Sequence, residues 1–538
     1  MSWLWPEGHW RGHTFLALPI RGLLGTMRRP VGGGRSSMNS PSSEHDAVDD
    51  SLGASSKSAK GTGEATLRPA LGTFTALTIV VGGVIGSGIF FKPAVVAHNL
   101  GDERMLALGL WIVCGLVNLC GALSQAELAA MFPHAGGSYV YLREAYGRAW
   151  ALAWAWAEFW VVRTGAIAAL AVAMTMSARG LFKAAGWTFD AGEWRWVEKL
   201  SAVGVIALLA AVNIAGVAWG GRMQNITTVV KVAFILALVV LPFLALGADA
   251  TLPGDGGAAG ESPLPAVGLW AGIGAALSAM MWTYDGWGNL TVVAEEVKSP
   301  ERAVPLALSG GLLVVIALYV GVNVGLFQAA SDVEIARTAI PAGIVFERAF
   351  GPRGEHLLNV MLLVSVFGAL NQNILTGPRV LFAAGRDFRQ FALLRRIDPR
   401  TGTPAVAIAG LSAWACVLVL FGDVGIGPEL LASNRRLFDV LTDYCIFGGS
   451  IFYLLAVLAV FVLRVKRADA PRPYRTPFYP AVPAAFVAFY VWLLAMMAVA
   501  NPREAAAGLA FVAVGFAVGR WVDRRRASEG GGIVNGKS

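Results

Sequence analysis

Ile79-Val80-Val81-Gly82-Gly83-Val84-Ile85-Gly86-Ser87-Gly88-Ile89-Phe90 is the stretch on which the reading of this chain turns. It lies in an apolar segment long enough to cross a bilayer, yet Gly82, Gly83, Gly86 and Gly88 interrupt its middle. Each glycine costs roughly 1 kcal/mol against alanine in a helix. A lipid core offers no water to freed backbone groups, so a broken helix there must be covered by protein or face a polar cavity. A break at Gly86-Ser87-Gly88 would point bare N–H groups, at the positive end of a half-helix dipole, into such a cavity. That arrangement suits a small anion such as a carboxylate. Close helix packing through small residues is the alternative that needs no ligand.

A second interruption lies farther along, at Met281-Trp282-Thr283-Tyr284-Asp285-Gly286-Trp287-Gly288-Asn289. Between and beyond the two, about twelve runs have the roughly 20 apolar residues that a ~30 Å hydrocarbon core demands. They fall near 72–98, 105–131, 149–178, 199–219, 225–247, 267–293, 304–328, 355–383, 404–422, 436–464, 479–500 and 504–522. The interruptions therefore sit at matching places in the first and sixth spans, five spans apart. That is the signature of a five-plus-five inverted repeat, with substrate held at the midplane between two discontinuous helices. The predicted fold is an all-α polytopic membrane protein, with repeat one over about 72–247, repeat two over about 267–464, and two further helices over about 479–522.

Composition agrees. Of 538 residues, 56% are hydrophobic and 14% charged, against about 25% charged in soluble domains. The net charge of +8 invites a nucleic-acid reading, but the basic residues gather in short loops, which argues for membrane orientation. Arg143, Arg148, Arg222, Lys298, Arg302, the run from Arg379 to Arg400, Arg464 to Arg475 and Arg524-Arg525-Arg526 all fall on one predicted face. The opposite face includes the loop 248–266, which has no Lys or Arg; Arg179, Lys183, Arg195 and Lys199 are a partial exception. The bias places both termini in the cytoplasm. Residues 1–70, rich in Gly, Ser, Pro and charge, are predicted as a disordered tail, with Met27 and Met38 as alternative starts, and 523–538 as a short C-terminal tail. Cys114, Cys120, Cys416 and Cys445 all fall in apolar runs with neither metal nor disulfide spacing. No metal and no cofactor are expected. His98 and His134 lie near span ends and read as surface or structural residues.

The motifs carry a resemblance. Gly86-Ser87-Gly88-Ile89-Phe90 followed by Pro93 resembles the first-span motif of amino-acid transporters in the amino acid–polyamine–organocation (APC) superfamily. Ala126-Glu127-Leu128, Pro133, Gly136-Gly137-Ser138-Tyr139 and Tyr141-Leu142-Arg143-Glu144 resemble its second span and following loop. Tyr284-Asp285-Gly286-Trp287, Glu295-Glu296-Val297-Lys298-Ser299-Pro300-Glu301-Arg302, Pro305-Leu306-Ala307, Gly377-Pro378-Arg379 and Gly385-Arg386-Asp387 are similar to the L-type amino-acid transporter branch. The resemblance covers about residues 70–500. It implies the leucine-transporter-type fold and alternating-access transport of L-amino acids.

Carried over residue by residue, the resemblance puts the substrate against Val84, Ile85, Gly86, Ser87, Gly88 and Ile89 of the first break and Trp282, Thr283, Tyr284, Asp285 and Gly286 of the second. The carboxylate would meet the N–H groups of Ser87 and Gly88 and the Ser87 hydroxyl. The amino group would meet carbonyls near Val84, Trp282, Thr283 and Asp285. Trp282 stands where the family usually has a gating phenylalanine, and its greater bulk implies a tighter pocket for small neutral amino acids. Lys231 lies inside the fifth span, where a charge costs at least ~2.5–3.5 kcal/mol. It either snorkels to the interface or, as in sodium-independent relatives, takes the place of a sodium ion and braces the first break.

Asp285 reads either as a ligand or counter-charge for a cationic substrate, or as a cap on the unwound turn that points away from the pocket; the cap is favoured. Arg163, mid-way through the third span, needs a partner, with Glu127 and Glu158 both available. The loop 331–353 is expected to fold as an external helical cap. A secondary carrier, exchanger or proton symporter, is the leading function, with cationic amino acids or polyamines as the second substrate class and a non-transporting nutrient sensor as a different class. An enzyme is disfavoured, because no His-Glu-x-x-His pair, Gly-x-Ser-x-Gly elbow or Walker loop occurs. Eukaryotic L-type carriers join a heavy subunit through a disulfide in the second external loop. That loop, about 179–198, has no cysteine, so no covalently attached subunit is expected, and dimerisation is left open. The expected site is the plasma or inner membrane.

Overall fold

In the computed structural model the described residues are 67–101, 103–184, 186–187, 189–246, 269–422, 437–500 and 502–531. The tail up to residue 66, the loop 248–266 and the end from 532 lie outside them, as does the side chain of Cys445. The described residues are helical apart from connections, with one isolated parallel bridge, Leu71 to Val297.

Among the described residues ten helices are long and apolar enough to cross a membrane. The first crossing is split into α1 (Thr73–Val84) and α2 (Gly88–Leu100). The second is α3 (Arg104–Met131), followed by a short α4 (Ser138–Tyr146). The third joins α5 (Arg148–Ala157) to α6 (Arg163–Ala184) through a π-helical turn, Glu158–Val162. The fourth and fifth are α7 (Ala191–Ala215) and α8 (Val217–Leu246). The sixth is again split, into α9 (Leu269–Tyr284) and the single turn α10 (Asn289–Val292). The seventh is α11 (Pro300–Ala329), followed by α12 (Asp332–Arg337) and α13 (Ala342–Phe350), the helical cap expected over 331–353. The eighth combines α14 (Arg353–Thr376) and α15 (Pro378–Asp387). The last four are α16 (Ala405–Phe421), α17 (Leu437–Lys466), α18 (Ala481–Ala500) and α19 (Pro502–Gly531). The split sixth segment and the shorter apolar α16 lie where the remaining two of the twelve expected spans fall.

Three boundaries differ from the sequence reading. The fourth crossing starts eight residues early because Asp190 and Glu193 form a reciprocal capping box, 2.7 and 3.1 Å, which nucleates a helix ahead of the apolar run. Arg195 and Lys199 are therefore helical rather than in a loop. The turn into the fifth crossing is at Gly216, φ +153°, so Arg222, expected in a loop, lies in α8 and stacks on Trp219. The last helix continues past 522 to Gly531, since the arginine- and alanine-containing stretch beyond the apolar run still favours helix.

Residues 67–70, placed with the tail on composition, are fastened. The N–H groups of Ala70 and Leu71 donate to the Glu296 carbonyl at 2.9 and 2.8 Å, and Lys298 N–H donates to Leu71 O at 2.8 Å. Glu295 collects the surrounding elements. Its carboxylate accepts from both terminal nitrogens of Arg386 at 2.7 Å, from Ala135 N–H at 3.0 Å and from Leu67 N–H at 2.9 Å. Next to it Glu296 pairs with Arg379 at 2.7 Å, both fully buried. Tyr139 and Arg143 bind Asp387 at 2.8 and 3.0 Å. These contacts sew the chain entering α1, the end of the sixth crossing, the loop before α4 and the end of the eighth crossing into one seal at the arginine-rich end.

Burial pushes the Glu295 carboxyl up, but Arg386 and the two N–H donors outweigh it and hold the group below its ordinary range. Because the folded value is depressed, its contribution to the seal is complete above the carboxylate range and is lost as pH falls through that value. Glu295→Gln removes the charge at neutral pH. Hydrogen bonds to charged groups contribute about 1.5–3 kcal/mol, so deuterium uptake at the amides of Leu67 and Ala135 is expected to rise by about tenfold or more.

Candidate functional site

The two breaks meet. A Cβ on Gly88, the first residue of α2, would lie 2.8 Å from Thr283 Oγ1 and 2.9 Å from Thr283 Cα, so only glycine lets α2 cross α9 this closely. Gly286, just after α9, has φ +108°, and a Cβ there would stand 2.7 Å from the Gly83 carbonyl. α1 stops because Ile85 leaves the helix with ψ 85°. The Gly86 N–H turns back to Val84 O at 2.8 Å, and Phe90 N–H reaches Ser87 O at 3.2 Å. Among the described residues the N–H groups of Ser87, Gly88 and Ile89 have no acceptor. The Ser87 hydroxyl is also buried without a hydrogen-bond partner. Three amides and one hydroxyl thus converge unpaired at the start of α2, where the dipole favours an anion.

In front of them is a cavity of about 60 Å³, lined by Gly83, Val84, Gly86, Ser87 and Gly88 of the first break and Trp282, Asp285, Gly286 and Asn289 of the second. Ala166 and Leu170 of α6 and Ala369 and Asn373 of α14 complete it. A second chamber, about 40 Å³, shares Ala166, Trp282, Asp285 and Asn373 with the first and is otherwise walled by Arg163, Tyr453, Tyr490 and their neighbours. Trp282 borders both, the place a gate between them would occupy. One water needs about 10–15 Å³ of such space, so the first cavity suits a solute of a few heavy atoms.

Ile85, Ile89, Thr283 and Tyr284, carried into the site with their neighbours, are not among the residues lining the cavity, so the Ile89 N–H and the Thr283 carbonyl belong to the site only through the backbone. The Ile85 and Ile89 side chains are buried. Thr283 Oγ1 donates to Ala279 O at 3.1 Å, and Tyr284 donates to Trp111 O at 3.0 Å within an aromatic cluster with Trp111 and Tyr319. The carbonyls of Val84 and Thr283 are partly engaged as well. The Tyr319 hydroxyl of α11 lies 2.8 Å from the first and 3.1 Å from the second, bridging the C-terminal ends of the two half-helices. A single neutral hydrogen bond is worth about 0.5–1.5 kcal/mol. Tyr319→Phe is therefore expected to slow transport by about tenfold with little loss of folded protein, checked by initial exchange rates against size-exclusion yield.

Asp285 faces both cavities, against the expectation that it points away. It still takes part in the turn, its N–H donating to Trp282 O at 3.3 Å, and its side chain shares the wall of the second chamber with Tyr453 of α17 and Arg163. Arg163 has its partner in Glu158, at 2.9 and 3.0 Å, while Glu127 pairs with Arg464 at 2.7 Å. The π-turn sets the first pair: a five-residue step brings Glu158 and Arg163 to one face, whereas an α-helix would bring residues four apart together. Arg163 also donates to Asn289 at 2.7 Å and Asn373 at 2.8 Å, which fixes two residues of the cavity wall. Asn373, Asn289, Ala166 and Tyr453 escaped the sequence reading; the polar run Asn371-Gln372-Asn373 inside an apolar span was the available signal.

Lys231 of α8 does not snorkel. It is buried, and its ammonium donates to Gly82 O at 2.8 Å and Ile85 O at 2.7 Å, the carbonyls freed where α1 ends. The fifth crossing thus braces the first break through Lys231, and the tenth touches the second break through Tyr453, an equivalence expected of inverted repeats. Among the described residues no group of three metal-ligating side chains occurs.

A family described as amino acid permease matches residues 71–518. The chain belongs to that family. Among similar proteins, the serine/threonine exchanger SteT of Bacillus subtilis is 31% identical over 481 residues, covering 86% of this chain and 98% of that protein. The human b(0,+)-type amino acid transporter 1 is 28% identical over 437 residues, 81% of this chain and 84% of that one. The human cystine/glutamate transporter is 28% identical over 440 residues, 82% of each. The permease is thus an APC-type multi-pass membrane protein whose relatives carry amino acids.

Proposed function

We propose that this permease is a sodium-independent exchanger of small neutral L-amino acids, working by alternating access in the plasma membrane with both termini cytoplasmic. The observation that carries the reading is Lys231, whose ammonium already occupies the carbonyls that a coupling cation would need at the first break. The unpaired amides of Ser87, Gly88 and Ile89 supply the carboxylate site. The amino group is received on the other side, by the remaining lone pairs of the Val84 and Thr283 carbonyls and by the Asp285 carboxylate. The confined cavity under Trp282 argues for small side chains, as does the serine/threonine exchange named for the Bacillus relative. The permease works without a disulfide-linked subunit.

The second reading, a carrier of cationic amino acids or polyamines, draws on Asp285 at the cavity wall. That carboxylate, however, shares its chamber with the Arg163 guanidinium, which offsets its charge. Competition against labelled L-serine exchange in proteoliposomes separates the readings. Alanine and threonine should compete, while lysine, putrescine, serine methyl ester and N-acetylserine should not; competition by lysine or putrescine at serine-like concentrations overturns the neutral assignment. Trp282→Phe should admit larger substrates, lowering the half-inhibitory leucine concentration several-fold.

A further inference from the structure

We propose that the cleft between residue 68 and the loop 395–402 is a binding site for a phosphate group, supplied by an anionic lipid headgroup or by a phosphate-bearing solute. The cleft encloses about 360 Å³ and is lined by Arg68, Arg395 and Arg396 with Asp398 as its one carboxylate. Asp398 is turned to its own loop, its Oδ1 accepting from Arg400 N–H at 2.8 Å and Thr401 N–H at 3.2 Å.

Five other arginines at this end are already engaged. Arg143, Arg379, Arg386, Arg464 and Arg467 each pair with a carboxylate. Among the described residues, Arg68, Arg395 and Arg396 have no carboxylate within ion-pair distance. The orientation bias explains why arginines gather at this end. It does not by itself place three exposed guanidiniums, none with a carboxylate partner among the described residues, around one hollow, a donor set that matches the oxygens of a phosphate.

The position gives the site a consequence. Leu67, next to Arg68, packs with Ile397, next to Arg396, and with Ala135 and Phe382. An anion held by Arg68 together with Arg395 and Arg396 ties the chain entering α1 to the loop after α15. Those elements must part if this end of the permease opens, so occupancy slows turnover. Binding stands independently of the transport reading; the effect on turnover rests on it.

The test uses the full-length protein in detergent, with thermal unfolding followed against added dioleoylphosphatidylglycerol, dioleoylphosphatidylcholine or inorganic phosphate. Phosphatidylglycerol is expected to raise the melting temperature and phosphatidylcholine not to. The double variant Arg395→Gln/Arg396→Gln should need at least about tenfold more phosphatidylglycerol. A charge-matched control, Arg524→Gln/Arg525→Gln, should respond as the wild type does. If inorganic phosphate gives the same shift at the same concentration, the phosphate site holds and its source is a solute. Equal responses of the cleft variant and the control, or no response by the wild type to either phosphate source, overturn the proposal. In phosphatidylcholine proteoliposomes, adding phosphatidylglycerol should slow wild-type serine exchange several-fold and leave the cleft variant unchanged. If wild type and cleft variant exchange at equal rates with and without phosphatidylglycerol, the regulatory role fails. If neither exchanges serine in any lipid, the transport reading fails instead.

Discussion

Replacing Lys231 with methionine is expected to lower amino-acid exchange by at least about 100-fold. The ammonium makes two charge-assisted bonds, to Gly82 O and Ile85 O, each worth about 1.5–3 kcal/mol. Methionine fills a similar volume but leaves both carbonyls buried and unpaired at the point where α1 ends. The break then loses its charged brace, keeping only the neutral bonds from Tyr319 to Val84 O and from Ser365 to Gly86 O, and the amides of Ser87 and Gly88 lose their aim. Arginine is not expected to rescue, because the packing leaves no slack: a Cβ on Gly368 would already lie 2.8 Å from Lys231 Cε. The measurement is initial serine exchange per reconstituted protein, with a melting curve to separate lost function from lost fold. A Lys231→Met protein exchanging at the wild-type rate would remove the brace from the mechanism.

Gly286→Ala is expected to abolish transport or nearly so. An L-residue at φ +108° is strained by roughly 1–2 kcal/mol or more. The added methyl would also sit 2.7 Å from the Gly83 carbonyl, and overpacking of this kind costs typically about 1–3 kcal/mol. The strain falls where the two broken helices touch, so relief requires them to separate and the cavity between them to change shape. Exchange should drop by a factor on the order of 100 or more. Gly72→Ala, where a Cβ meets nothing within 4 Å, serves as the control with near wild-type activity.

The architecture was legible because the bilayer imposes its own ruler. Apolar runs of fixed length gave the twelve crossings, and glycines placed where lipid tolerates no loose backbone gave both breaks. Boundaries set by side-chain chemistry were less visible: the Asp190–Glu193 box starts a helix before its apolar run, and Gly216 turns the chain before the expected end of the fourth span. At the site, adjacency in sequence says which backbone segments meet but not which side chains reach the cavity. Ile85, Ile89, Thr283 and Tyr284 adjoin lining residues without being among them, because successive residues around a helix end face different neighbours. The residues that escaped were Asn289 and Asn373, which line the cavity, and Tyr453, which lines the chamber beside it, each from a separate crossing. Arg163 was conspicuous as a buried charge, but its link to Glu158 depends on a π-turn that no periodicity announces.

The measurement closest to the central claim is counterflow in proteoliposomes. Vesicles preloaded with unlabelled L-serine should accumulate labelled L-serine from outside, empty vesicles should not, and the rate should be the same in sodium and in choline. Uptake that collapses in choline, or no accumulation in preloaded vesicles, would contradict a zwitterion held between two broken helices with Lys231 in the place of a coupling ion.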